Sequence, residues 1–171
     1  QNAVSLPLDT LSRPVHDLRV SVIEACNFRC PYCMPGDKTP DDSTLQNAAR
    51  LSFDQIEKAV QAFVKLGVRK LRLTGGEPLL RKNLPDLIER LASIRELEDI
   101  ALTTNGSLLE KQAKVLKKAG LHRLTVSLDA LDAGIFSQLS GGRGQVQEVL
   151  RGIEAAEAAG FTSLKINAVI Q

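Results

Sequence analysis

Ala119-Gly120-Leu121-His122-Arg123-Leu124-Thr125-Val126-Ser127-Leu128-Asp129 contains the logic of the fold. A glycine behind a helical run can take the left-handed conformation that ends a helix. Beyond it, Leu124, Val126 and Leu128 alternate with Thr125, Ser127 and Asp129, the period of a strand with one apolar and one polar face. The same grammar recurs at Leu66-Gly67-Val68-Arg69-Lys70-Leu71 and at Ala159-Gly160-Phe161-Thr162-Ser163-Leu164. Repeated βα units of this kind build a parallel sheet with right-handed crossovers.

The rest of the chain alternates in the same way. Residues 18–24 read as the first strand, with Leu18, Val20 and Val22 on one face and Arg19 and Ser21 on the other. Ser52 and Gln55 make a capping box for a helix whose buried stripe is Ile56, Ala59, Val60 and Phe63, ended by Gly67. Strands follow at 68–74, 100–104, 121–128 and 164–170, with helices at 84–94 and 145–160 between them. Ser107 and Glu110 repeat the capping-box signal for a helix running to Gly120. Residues 1–17 read as a leader packed on the surface, and 18–171 as one domain. Residues 34–50, rich in Pro, Gly, Asp and Ser, read as a long loop able to cover a site.

Two architectures share such units, and strand patterning separates them. Buried strands of a doubly wound sheet are apolar on both faces, whereas these carry Arg19, Lys70, Arg72, Thr74, Thr103, Asn105, Thr125, Ser127, Lys165 and Asn167 on one side. The pattern predicts an α/β fold, an incomplete (β/α) barrel of about five parallel strands whose apolar sides face the helices and whose polar sides line a wet interior. Arg19, Lys70, Arg72 and Lys165 in that interior favour an anionic substrate. An amphipathic sheet with one face in water stays open as the alternative.

Composition narrows the function classes. At 43% hydrophobic and 25% charged, with a net charge of +2, the chain reads as an ordinary globular protein with too little charge to argue for nucleic acid or an anionic membrane. Aromatic residues are scarce and tryptophan is absent, which weakens any base-stacking surface. No apolar run approaches a membrane span and no secretory signal opens the chain, so the cytoplasm is the expected compartment.

All three cysteines fall in Cys26-Asn27-Phe28-Arg29-Cys30-Pro31-Tyr32-Cys33, directly after the first strand. Three thiolates are one short of the four that close a structural zinc or a fully ligated iron–sulfur cubane, which points to a cluster with an open iron. A disulfide with a spare thiol, a zinc site borrowing His16 or His122, and inert thiols are the competing readings. Thr74-Gly75-Gly76-Glu77-Pro78 follows the second strand. Its glycines would let backbone approach a ligand, and its carboxylate can accept from an ammonium. Barrel chemistry sits at the C-terminal ends of strands, and both motifs lie there.

The cysteine spacing together with the Gly-Gly-Glu-Pro turn resembles the radical S-adenosylmethionine (SAM) enzymes. Leu18-Arg19-Val20-Ser21, Leu102-Thr103-Thr104-Asn105-Gly106, Val126-Ser127-Leu128-Asp129 and Leu164-Lys165-Ile166-Asn167 narrow the resemblance to the GTP 3′,8-cyclase family of molybdenum cofactor (molybdopterin) biosynthesis, from about residue 9 onward. That resemblance implies a [4Fe–4S] cluster on Cys26, Cys30 and Cys33, SAM contacts from Tyr32, Gly76 and Ser127 with Glu77 nearby, and GTP contacts from Arg19, Arg72, Thr103 and Lys165. The implied activity is that of a lyase: reductive SAM cleavage gives a 5′-deoxyadenosyl radical that takes the ribose 3′ hydrogen of GTP, leading to (8S)-3′,8-cyclo-7,8-dihydroguanosine 5′-triphosphate. Implied partners are GTP, a reductant such as flavodoxin or ferredoxin, and a downstream cyclic pyranopterin monophosphate synthase; a homodimer is left open.

Two departures accompany the resemblance. Ser12 stands before Arg13 where the family tends to have glycine, a change expected to alter a surface turn. The family's second cysteine triad, which holds another [4Fe–4S] cluster, is absent, so the chain is expected to be a truncated piece of a longer enzyme that is inactive on GTP alone. Another radical SAM enzyme acting on a peptide or small molecule is the nearest alternative. An iron–sulfur electron carrier and a redox or zinc module are the others.

Overall fold

Five strands pair in the order in which the chain makes them. β1 (Asp17–Ser21), β2 (Lys70–Thr74), β3 (Asp99–Thr104), β4 (Arg123–Ser127) and β5 (Leu164–Asn167) form one sheet ordered β1-β2-β3-β4-β5, with every neighbouring pair parallel. A doubly wound sheet reverses its strand order at a switch point. This one grows in a single direction, so the fold is α/β, an incomplete (β/α) barrel. The computed structural model describes residues 6–33 and 50–170. The loop expected at 34–50 therefore lies, apart from Arg50, outside the described residues.

Helices α1 (Phe53–Lys65), α2 (Leu84–Ala92), α3 (Leu109–Lys118), α4 (Ala133–Leu139) and α5 (Val146–Ala158) connect the strands. The capping box of α1 forms as its sequence requires: the Gln55 N–H donates to Ser52 Oγ at 3.2 Å, and the Ser52 N–H to Gln55 Oε1 at 2.8 Å. Gly67 ends that turn at a φ of 110°, a conformation that favours glycine. Ser12 sits at a φ of 60° in the surface turn where glycine was expected.

Three local expectations are corrected. The buried stripe of α1 is Ile56, Val60 and Val64, a line of i, i+4 and i+8 positions, whereas Ala59 is exposed and Phe63 is 40% exposed. Ser107 does not cap α3; Leu108 occupies that position without a side-chain hydrogen bond. The Ser107 hydroxyl instead donates to Asn105 Oδ1 at 2.8 Å and accepts from Asn27 Nδ2 at 2.9 Å. Helix α4 was not expected; Asp132 starts it by accepting the Ile135 N–H at 2.9 Å. Four strands are also shorter than expected: β1 and β5 end sooner, β2 begins two residues later, and β4 is trimmed at both ends.

The core lies between the outer face of the sheet and the helices. Leu71, Leu73, Ile100, Leu102, Leu124 and Val126 are fully buried there against Ile56, Val60, Leu87, Leu91, Leu116 and Val149. Helices α3 and α5 pack on each other, and a Cβ at Gly152 would come within 2.5 Å of Gly106 O. On the inner face the register stacks the polar side chains in levels. Asp17, Lys70 and Asp99 form the lowest, Arg19, Arg72, Ala101 and Arg123 the next, and Thr103, Thr125 and Lys165 the third.

The corrected helix face sets a stability test. Ile56→Ala should cost about 2–5 kcal/mol, the usual loss for a buried branched side chain. Phe63→Ala should cost less than about 1 kcal/mol, as for most exposed positions. Urea unfolding followed by circular dichroism reads both, and equal losses would place α1 in a different rotation.

Candidate functional site

The cysteine loop leaves the C-terminal end of β1 and is fastened to three other segments of the rim. The first is the Gly-Gly-Glu-Pro turn after β2. The Gly76 N–H donates to Ile23 O and the Glu77 N–H to Ala25 O, both at 2.8 Å. A Cβ at Gly75 would stand 2.4 Å from Ile23 O, and one at Gly76 would stand 2.2 Å from Ala25 O. Contact this close admits no side chain. Close backbone approach was the expected reason for these glycines, but the approaching group is the cysteine loop's own backbone.

The second fastening runs from Asn27 to the exit of β3: Asn105 Nδ2 donates to Asn27 Oδ1 at 2.8 Å, and Asn27 Nδ2 donates to Ser107 Oγ at 2.9 Å. The third was missed in the sequence. Phe28 is buried with its ring edge-on to Phe136, centroids 5.9 Å apart, and the Arg29 N–H donates to Ser140 O at 3.0 Å. Cβ atoms at Gly141 and Gly144 would lie 2.1 Å from Arg29 O and 2.4 Å from the Phe28 ring. The signal available was Gly141-Gly142-Arg143-Gly144 between two helical patterns, all three glycines taking positive φ.

Cys26 and Cys30 are half-buried, Cys33 is exposed, and all three are free thiols. Burial pushes the Cys26 and Cys30 thiols up, and the negative charges of Glu77 near Cys26 and Asp129 near Cys30 add to the rise. The Phe28 N–H, 3.5 Å from Cys26 Sγ, pulls the other way on Cys26, and so does the Tyr32 hydrogen bond on Cys30. A thiolate set in these surroundings needs a positive centre beside it. The donor chemistry therefore fits a soft, cationic metal group. Among the described residues no three His, Cys, Asp or Glu side chains converge on a single metal ion. His16 and His122 precede β1 and β4 and so lie at the N-terminal ends of the strands, opposite the cysteines, with His122 Nδ1 accepting the Ile100 N–H at 2.9 Å. Neither can supply the fourth ligand of a zinc site.

Glu77 is 1% exposed. Its Oε1 accepts the Leu79 N–H at 3.0 Å and the Thr104 hydroxyl at 2.7 Å, and its Oε2 accepts the Asn105 N–H at 2.8 Å. Burial pushes this carboxyl up, while those three neutral donors partly offset the rise. The side chain thus ties the turn after β2 to the exit of β3, pointing inward. Tyr32, opposite it on the cysteine loop, donates its hydroxyl to Asp129, and burial followed by that hydrogen bond holds the phenol above its ordinary range. Ser127 ends β4, two residues before Asp129.

Below this rim the sheet's inner face encloses about 340 Å³, lined by Arg19, Lys70, Arg72, Thr103 and Arg123 among others. Thr103 Oγ1 is buried and lacks a hydrogen-bond partner among the described residues. An orphaned buried hydroxyl carries a desolvation cost that a ligand atom can relieve. Lys165 shares the inner face, level with Thr125, but lies outside this lining. Lys70 stands level with Asp17 and Asp99 and lines the cavity with them, so this level carries both signs of charge. Arg123, which the reading of the polar face left out, joins the Arg19 and Arg72 level and is held by Asp99 through a hydrogen bond of 2.9 Å from Nε. Cys26, Cys30, Cys33, Tyr32, Gly76, Glu77 and Ser127 all lie on the upper rim. Arg19, Arg72 and Thr103 lie in the cavity beneath.

The fold has counterparts among known proteins. Residues 20–171 match the family model described as the radical SAM superfamily. A GTP 3′,8-cyclase of Xanthomonas campestris pv. campestris (strain B100) is 65% identical over 163 residues, which is 95% of this chain and 48% of that protein. One from Acidothermus cellulolyticus is 50% identical over 164 residues, 95% of this chain and 45% of the relative. The chain thus spans about half the length of the curated relatives it matches. In fold alone it is similar to Streptococcus suis SuiB bound to S-adenosylmethionine, with a TM-score of 0.74 at 19% identity over 91% of this chain and 34% of that one. It is likewise similar to anSMEcpe with bound AdoMet, with a TM-score of 0.70 at 21% identity over 92% and 43%. With a matched domain that takes in nearly the whole sheet and both rim motifs, the chain belongs to the radical SAM superfamily.

Proposed function

We propose that this chain forms the barrel segment of a GTP 3′,8-cyclase, an enzyme of molybdenum cofactor biosynthesis, with the cluster and SAM on the upper rim and GTP in the cavity below. The observation that carries the reading is the cysteine loop fastened above a cavity lined by Arg19, Arg72 and Thr103, whose hydroxyl has no partner among the described residues. The GTP 3′,8-cyclases at 65% and 50% identity support the choice of substrate.

In this reading Cys26, Cys30 and Cys33 hold a [4Fe–4S] cluster, and Tyr32, Gly76 and Ser127 lie against SAM with Glu77 behind them. Bound there, the cluster and SAM would supply reductive SAM cleavage and so a radical able to take hydrogen from an unactivated carbon. The chain's own residues position and exclude. Arg19 and Arg72 present guanidinium forks suited to phosphate oxygens. Thr103 Oγ1 donates to the nucleotide, and Lys165 on β5 closes the level above. The helices cover the apolar outer face of the sheet, which leaves the polar inner face free to take the ligand. A protein reductant of the flavodoxin or ferredoxin kind would deliver the electron, and a cyclic pyranopterin monophosphate synthase would take the product. The domain division at residue 17 belongs to the same proposal: the leader makes its own turn, with Asp9 Oδ1 accepting the Leu11 and Arg13 N–H groups at 2.8 and 2.9 Å.

Two measurements test it. After anaerobic reconstitution, GTP binding followed by equilibrium dialysis should weaken about ten-fold or more in Arg72→Ala, in line with loss of a charge-assisted contact. Thr103→Val should weaken it only a few-fold, as for a neutral hydrogen bond. Indifference to both changes would remove GTP from the cavity. Gly76→Ala, which places a methyl group on Ala25 O, should leave the far-ultraviolet circular dichroism close to the parent while iron bound per chain falls severely; normal iron content would show that the turn does not hold the loop.

A further inference from the structure

Tyr32 and Asp129 meet across the mouth of the sheet. The cysteine loop follows β1, the first strand in the order, and Asp129 follows β4, the fourth, so the two segments are not neighbours in the ladder. The Tyr32 hydroxyl nonetheless donates to Asp129 Oδ2. The other carboxylate oxygen accepts the Val169 N–H at 2.9 Å, just beyond β5. One side chain thus joins the cysteine loop to the exits of the strands that carry Ser127 and Lys165.

The two ends of the loop are held differently. Its inner end, residues 23–29, is fixed by Gly76, Glu77, Asn27 and the buried Phe28. Its outer end has three polar contacts among the described residues: the turn in which the Cys33 N–H donates to Cys30 O at 2.9 Å, the hydrogen bond between Tyr32 and Cys30, and the Tyr32 bond to Asp129. The first two are internal to the loop and cannot place it. Asp129 is the remaining polar link to the scaffold.

We propose that Asp129 is a positioning residue for the cofactor site: by holding Tyr32 it sets the Cys30–Cys33 turn and the Tyr32 ring at the height where SAM binds. This rests on the cluster and SAM reading given above. An aspartate two residues past a strand is otherwise an ordinary solvated rim residue, and Tyr32 is 42% exposed, so the discriminating measurement is one that a passive surface contact would not move.

The chain has one tyrosine and no tryptophan, so tyrosine emission from the metal-free protein reports Tyr32 alone. A carboxylate acceptor quenches that emission, and Asp129→Asn should restore it. Asparagine keeps an oxygen for the Val169 N–H, which preserves the exit of β5. In the reconstituted protein, the change in the electron paramagnetic resonance spectrum of the reduced cluster on adding SAM gives the SAM affinity. Asp129→Asn and Tyr32→Phe should each weaken it roughly five- to ten-fold, the loss expected for a charge-assisted hydrogen bond partly open to water. The double variant should be no weaker than either alone, because both remove one contact. Unchanged affinity in Tyr32→Phe, which leaves every carboxylate in place, would overturn the proposal, as would additive losses. A parent cluster spectrum indifferent to SAM would instead overturn the cofactor reading itself, and this inference with it.

Discussion

The structure depends on the contact between two strand exits. Gly76 and Glu77 donate their backbone N–H groups to Ile23 O and Ala25 O, so the turn after β2 and the loop after β1 share one short stretch of backbone pairing. That pairing continues the β1–β2 ladder beyond its side chains and leaves no room for a Cβ at Gly75 or Gly76. It places the cysteine loop over the interior of the sheet instead of beside it. Once it is there, Glu77 is buried and its carboxylate draws in the Leu79, Thr104 and Asn105 donors, locking the exit of β3 into the same cluster. A buried carboxylate without those donors would be costly, which makes the arrangement cooperative.

The inner face obeys a second constraint. A filled barrel packs its centre with branched apolar side chains, but here the levels are built from arginines, lysine, aspartates and threonines. Charges that crowd together in a confined space must be paired or face a ligand. Asp99 holds Arg123, and Lys70 lies between Asp17 and Asp99. Arg19, Arg72 and Thr103 stand nearer the rim and line the cavity, and the buried Thr103 hydroxyl has no hydrogen-bond partner among the described residues. The lower level thus mixes both signs of charge, whereas the level of Arg19, Arg72 and Arg123 carries cations without a carboxylate.

Legibility in the sequence tracked how local each decision was. The period of two along the strands and the glycines after α1, α3 and α5 are local properties, so the five strands, their polar and apolar faces and the α1 capping box could all be read directly. Phe63 misled because helical spacing defines a stripe about a third of the surface wide, and packing against the sheet selects the line Ile56, Val60, Val64 within it. Ser107 misled because a capping box is worth little beside a buried partner: its hydroxyl serves Asn27 and Asn105 across the rim. The glycines at 141, 142 and 144 carried a visible signal whose meaning lay in Phe28 and Arg29, more than a hundred residues earlier.

By itself the sequence determined the five strands and four of the five helices, the alternation that makes a wet parallel barrel, and the two rim motifs whose chemistry points to a thiolate-held cluster beside a ligand-binding cavity. These follow from side-chain period, turn chemistry and donor type, each readable over a few residues. Only the tertiary structure decided that the motif glycines seat the cysteine loop's backbone, that Lys70 stands level with Asp17 and Asp99, and that Asp129 reaches Tyr32. Each of those is a pairing between segments far apart in the chain, set by strand register and by which buried polar groups find partners, and neither is written in any local stretch.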